Sequence, residues 1–126
     1  MYKIKGEVIH GRGNGKKVGM PTANLDIKDI QTEIEYGVYA CYVYVKDKKY
    51  LGVCNVGKRP TVDSQKTIEV NIIDFDEDIY GEIITIELIQ KLRDIERFNS
   101  LQEVKKQVDK DIIKTRELLS WMKKNY

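Results

Sequence analysis

The sequence predicts a small antiparallel β-barrel with one helix packed on its outside. Three observations carry that expectation. Short runs rich in β-branched and aromatic residues recur from residue 3 to residue 92. No helical pattern separates those runs, as parallel pairing would require. One long amphipathic segment, residues 100–124, follows them. Strands and then a single helix are the pattern of a barrel capped from outside.

In chain order, residues 3–9 read as a short strand, followed by a glycine-rich basic segment from Gly11 to Gly19. Residues 20–27 contain Pro21, which has no N–H for a sheet ladder, so this piece is expected to be a loop or an edge. Residues 37–45 are a strand, and Asp47-Lys48 is expected to turn it into Tyr50–Val56 as a hairpin. A polar loop spans 57–64. Residues 66–74 alternate, with Ile68, Val70 and Ile72 on one face and Glu69, Asn71 and Ile73 on the other. Asp76–Gly81 turns the chain into a last strand, Glu82–Leu92. In the helix, Leu101, Val104, Val108, Ile112, Leu119 and Met122 recur near helical spacing. Ser100 and Glu103 supply a Ser-x-x-Glu capping box at its start.

Composition excludes several classes. The 126 residues suit one domain, 1–126, with the barrel over about 1–98. A chain of this size buries roughly two thirds of its unfolded surface without a disulfide or metal staple. Charge is balanced, 22 Lys and Arg against 20 Asp and Glu, so a dedicated nucleic-acid binder is not expected. No apolar run approaches the ~20 residues of a membrane span, and no apolar signal region opens the chain. Cys41 and Cys54 lie in apolar stretches, which favours reduced core thiols and a cytoplasmic setting. His10 is the only histidine, so a multi-histidine zinc site is out. Ser64, Ser100 and Ser120 stand in no nucleophile elbow.

Four segments carry candidate chemistry. Residues 11–19 hold four glycines and the cations Arg12, Lys16 and Lys17, which suits either a phosphate-cradling backbone or a plain hairpin loop. They match neither the Walker A pattern nor Gly-x-Gly-x-x-Gly. In Pro21-Thr22-Ala23-Asn24, Thr22 and Asn24 offer neutral oxygens for a Mg²⁺ already held by phosphates, or Asn24 bonds its own turn. Glu69, a carboxylate on a strand, suits a general base in a barrel mouth or a solvated strand charge. Arg93 and Phe98 offer a cation and an aromatic face to a flat ligand, or else a salt-bridged linker.

As an ordered series, these pieces resemble riboflavin kinase. The series runs from the glycine-rich loop and Gly19-Met20-Pro21-Thr22-Ala23-Asn24-Leu25 through Gly37-Val38-Tyr39-Ala40 and Asn55-Val56-Gly57-Lys58-Arg59-Pro60-Thr61. It continues with Glu69-Val70, Tyr80-Gly81, Leu92-Arg93 and Phe98-Asn99-Ser100-Leu101. It covers nearly the whole chain. The resemblance implies a six-stranded antiparallel Greek-key barrel with a C-terminal helix. It implies transfer of the ATP γ-phosphate to the 5′-hydroxyl of riboflavin, giving FMN and ADP with Mg²⁺. By the same resemblance Gly11, Gly15 and Lys16 close over the nucleotide phosphates, and Thr22 and Asn24 lie at the metal and phosphates. Glu69 matches the catalytic base, and Arg93 and Phe98 match the loop that closes on the flavin.

The sequence also departs from the family. Lys16 follows Gly15 where bacterial members commonly have Arg, and Val18-Gly19-Met20 replaces Leu-Gly-Phe. The charge is kept, but the guanidinium fork is not, which leaves the phosphate contact open between Lys16 and Lys17. The resemblance places an adenylyltransferase domain in longer bacterial parents, and that domain's nucleotide-binding motifs are absent here, so FMN and not FAD is the expected product. The partners expected are riboflavin and ATP, with no nucleic acid and no membrane. Two other classes compete. A non-catalytic flavin-binding barrel would need neither Thr22, Asn24 nor Glu69. A nucleic-acid-binding barrel would have to tolerate seven acids against one lysine over residues 66–88.

Overall fold

The structure, a computed structural model, describes residues 2–9, 22–26, 34–58 and 66–125. Six strands precede one helix: β1 (Tyr2–Ile9), β2 (Ala23–Asp26), β3 (Gly37–Val45), β4 (Lys48–Lys58), β5 (Lys66–Ile72), β6 (Ile83–Arg93) and α1 (Leu101–Asn125). The strands close into a barrel in the order β1-β2-β5-β4-β3-β6, every pairing antiparallel. The order β6-β3-β4-β5 within that circle is a Greek key, because β6 returns beside β3. The expected fold is the observed one.

Alternation decides which residues fill the barrel. Ile68, Val70 and Ile72 of β5 point inward with Cys41, Val43, Cys54, Val56, Ile84 and Ile86, forming one buried core. A second, smaller cluster forms on the outer wall. There Val38, Val53 and Ile73 are covered by Leu51 and by Ile112 of α1. Cys41 and Cys54 are free and buried. Burial pushes the Cys54 thiol up to about 12 and the Cys41 thiol well above its ordinary value.

Strand β4 runs on to Lys58, into the expected loop, and other elements differ from expectation for local reasons. The β3–β4 turn is Lys46-Asp47, one residue early, and Lys46 takes the left-handed backbone with φ 55°. Strand β5 stops at Ile72 because Asp74 has φ 58°, which leaves Ile73 to donate to the Leu51 carbonyl at 2.9 Å. Strand β2 is no edge: it pairs with β1 on one side and β5 on the other. Pro21 itself lies outside the described residues.

The helix starts at its predicted cap, Ser100, with the Glu103 carboxylate reaching one residue further back than a capping box requires. Ser100 Oγ accepts the Glu103 N–H at 3.2 Å, and Glu103 Oε2 accepts the Asn99 N–H at 2.8 Å. Its buried row is Asp111, Thr115 and Leu119. Two of those three are polar, so the apolar pattern alone underestimates how the helix docks.

Candidate functional site

The alternation that sends Ile68 and Val70 inward sends Glu69 to the outer wall. Glu69 is therefore on the barrel's outer face, opposite the apolar row, as the alternation of residues 66–74 expects. It is still half-buried, and desolvation raises its pKa above the usual carboxylate value. Directly opposite Glu69 on β2 stands Asn24, and directly opposite it on β4 stands Asn55. Cross-strand partners have Cβ atoms about 5 Å apart, so the carboxylate lies between two carboxamides.

This row extends around the wall. Asn55 pairs with Val38 on β3, and Val38 pairs with Arg93 on β6. Residues far apart in the chain thus share one transverse line: Asn24, Glu69, Asn55, Val38, Arg93. Of the residues expected from the sequence, the register sets Asn24 directly beside Glu69, while Arg93 lies on the same line three strands away from Glu69. It also adds Asn55, which sequence reasoning noted only as part of a motif. The signal that identifies Asn55 is cross-strand register, which only pairing reveals.

Thr22, just before β2, lines a cavity of about 340 Å³ at one end of the barrel. Its apolar wall comes from Val8, Ala23, Val70, Ile72, Phe75 and Ile79, and Asp76–Tyr80 complete the rim. Gly81 (φ 82°) turns the chain there, and its N–H is held by the Val8 carbonyl at 2.9 Å. The cavity adjoins the Thr22–Asn24 end of the row, opposite the Arg93 end.

Arg93 is strongly engaged. Its guanidinium meets Asp111 of α1 through Nε at 3.0 Å and Nη2 at 2.9 Å, a two-pronged pair. Asp111 is 1% exposed and also accepts from Gln107 Nε2 at 3.0 Å. Arg93 donates a further bond to the Asp94 carbonyl at 3.2 Å, and its guanidinium carbon lies 5.9 Å from the Phe98 ring centre. Arg93 thus clamps the helix to the barrel and stands beside Phe98. The expected nucleotide residues Gly11, Gly15 and Lys16, with Lys17, lie outside the described residues.

Among the described residues no group of three or more His, Cys, Asp or Glu forms a metal cage. The neutral donor set of Thr22 and Asn24 fits instead a hard cation that arrives with phosphate and keeps most of its own waters.

The outer wall thus carries a half-buried carboxylate between two amides, and Thr22 links the same strand to an apolar cavity. The flavokinase family model, riboflavin kinase, matches residues 1–119, and the chain belongs to that family. It is 40% identical over 114 residues to the bifunctional riboflavin kinase/FMN adenylyltransferase of Bacillus subtilis (strain 168), covering 87% of this chain and 36% of that protein. It is 43% identical over 114 residues to the RNA-binding riboflavin kinase RibR of the same organism, covering 89% of this chain and 49% of that one. A solved structure from Streptococcus pneumoniae, described as a macrolide-efflux protein, shares the fold with a TM-score of 0.83 at 36% identity, covering 90% of this chain and 38% of that chain. The chain spans 36% and 49% of the two curated relatives, so it corresponds to their kinase portion.

Proposed function

We propose that this chain transfers the γ-phosphate of ATP to the 5′-hydroxyl of riboflavin, giving FMN and ADP. The observation that carries this reading is the placement of Glu69 in register between Asn24 and Asn55, within a chain of the riboflavin kinase family. The apolar cavity beside Thr22 suits the base of the nucleotide, which leaves the phosphates to reach Thr22 and Asn24. Those two residues would hold Mg²⁺ through their side-chain oxygens, and the ion supplies charge neutralisation on the phosphates.

Glu69 takes the proton of the 5′-hydroxyl as that oxygen bonds to the γ-phosphorus. The bond from phosphorus to the ADP oxygen breaks, and ADP leaves with that electron pair. A raised carboxylate pKa makes Glu69 a stronger base than an exposed glutamate. Phe98 supplies an aromatic face for the flavin, and Arg93 anchors the connection that carries it. Gly11, Gly15 and Lys16 supply backbone donors and charge to the phosphates.

Incubation with riboflavin, ATP and Mg²⁺, followed by chromatography of the flavins, tests the reading. FMN supports it. Tight binding with unchanged riboflavin favours a flavin-binding barrel without chemistry, and FAD would place a second activity in this chain. The relatives named as bifunctional point to an adenylyltransferase domain in a longer parent as a covalent partner. No helix among the described residues is long and apolar enough to cross a membrane. The proposal places the enzyme in the cytoplasm, acting on small molecules without nucleic acid.

A further inference from the structure

The row on the outer wall contains one polar side chain whose role the proposed reaction leaves unassigned. Asn55 stands directly opposite Glu69, on the flank away from Asn24. Its next neighbour along the row, Val38, is fully buried and apolar, and beyond it comes Arg93, whose guanidinium is committed to Asp111. Asn55 is half-buried, and its carboxamide forms no hydrogen bond with any described residue. Among the described residues only Thr115 Oγ1 is a buried side-chain polar atom without a partner, so the Asn55 carboxamide reaches solvent and is open to a ligand.

The reaction poses a matching problem. The ribityl chain carries several similar hydroxyls, and only the terminal one is phosphorylated. A base alone does not choose among them. Choice requires a second group that grips a neighbouring hydroxyl and so sets which oxygen faces the base. A hydroxyl both donates and accepts, and a carboxamide offers both partners. Cross-strand neighbours about 5 Å apart at Cβ suit two hydroxyls on nearby carbons of one chain. On the other flank, Asn24 lies toward Thr22 and the phosphates, so the polyol must approach from the Asn55 side.

We infer that Asn55 is a specificity-determining residue that binds the ribityl hydroxyl adjacent to the reacting one, setting which oxygen Glu69 deprotonates. The inference rests on the kinase reading above and goes beyond it by assigning the polyol contact. It separates the wall into a phosphate flank at Asn24 and a polyol flank at Asn55, with the base between them.

The test compares the unaltered chain with Asn55→Ala, using riboflavin and 4′-deoxyriboflavin as substrates. Asn55→Ala is expected to raise the KM for riboflavin about tenfold, in keeping with the loss of one hydrogen-bonded contact. The KM for ATP stays within about twofold, and the acid limb of the kcat–pH profile does not move. Because the analogue lacks the hydroxyl that Asn55 grips, the unaltered chain should lose a similar factor on it, and Asn55→Ala should lose little more. Asn55→Thr, which keeps a hydroxyl and suits a strand, covers the case in which the alanine variant misfolds; it should show a smaller rise in KM and a loss on the analogue between those of the unaltered chain and Asn55→Ala. An unchanged riboflavin KM overturns the inference. So do additive losses on the analogue, or a moved acid limb, which would make Asn55 a positioning residue for Glu69. Absence of FMN with the unaltered chain is a separate result: it overturns the kinase reading, and the inference with it.

Discussion

Glu69 bears the cost of its position. Flanked by two strands and half-buried, its carboxyl has a raised pKa, because desolvation disfavours the charged form. Glu69→Gln is expected to lower FMN formation by ~10²–10⁴-fold, the usual contribution of a general base, and to abolish the acid limb of the pH–rate profile. The stability effect runs the other way. Above the raised pKa the group is ionised in both folded and unfolded chains, and the folded state alone bears the desolvation cost. Below the ordinary value of 4.5 it is neutral in both, and the cost vanishes. Glu69→Gln should therefore raise Tm at pH above the raised pKa, with the gain lost as pH falls through that pKa toward the ordinary value of 4.5, as measured by thermal melts across pH. Thr22→Ala should reduce FMN formation at least as much as Glu69→Gln, and its activity should respond more steeply to Mg²⁺ concentration in a titration.

At the scale of elements, α1 is held to the barrel by more than an apolar stripe. Asp111, buried on the helix, is satisfied by Arg93 at the end of β6 and by Gln107 one turn back. Removing one partner of a buried pair leaves the other charge uncompensated. Asp111→Ala should cost about 3–5 kcal/mol in urea unfolding. Because Arg93 begins the connection that carries Phe98, the same variant should also weaken riboflavin binding, read by flavin fluorescence. The helix itself was legible in the sequence from Val104, Val108 and Ile112 and from the Ser100–Glu103 box. Its docking was not, because Asp111 and Thr115 look like solvent-facing positions until β6 supplies the arginine. Strand β2 shows the same limit. A proline and a short polar stretch read as a loop or an edge, and only barrel closure pairs residues 23–26 on both sides.

At the scale of the molecule, closure sets how tightly the interior is packed. Gly52 lies where β4 meets the inner faces of β3 and β5. A Cβ there would come within 2.8 Å of Val43 Cγ2, 3.1 Å of Cys41 Sγ and 3.2 Å of the Asn71 carbonyl. Gly52→Ala is expected to destabilise the fold by about 1–3 kcal/mol, checked by denaturant unfolding. The two interior thiols report on the same closure. With Cys54 pushed up to about 12 and both sulfurs buried, neither should react with a thiol reagent at neutral pH until the barrel opens. Labelling rates should then follow global unfolding.

The sequence by itself determined the class of fold, the run of strands and the helix, because hydrophobic period and capping are local properties read residue by residue. Through the ordered resemblance it also named Thr22, Asn24, Glu69, Arg93 and Phe98 as the residues to watch. Alternation along residues 66–74 also set Glu69 on the face opposite Ile68 and Val70, but the tertiary structure alone decided which neighbours it meets there. It also showed that Asn24, Glu69, Asn55 and Arg93 share one line, and that Arg93 is bound to Asp111. The reason is geometric. Cross-strand neighbours depend on register between segments far apart in the chain, and a slip of one residue would turn each of these side chains to the other face.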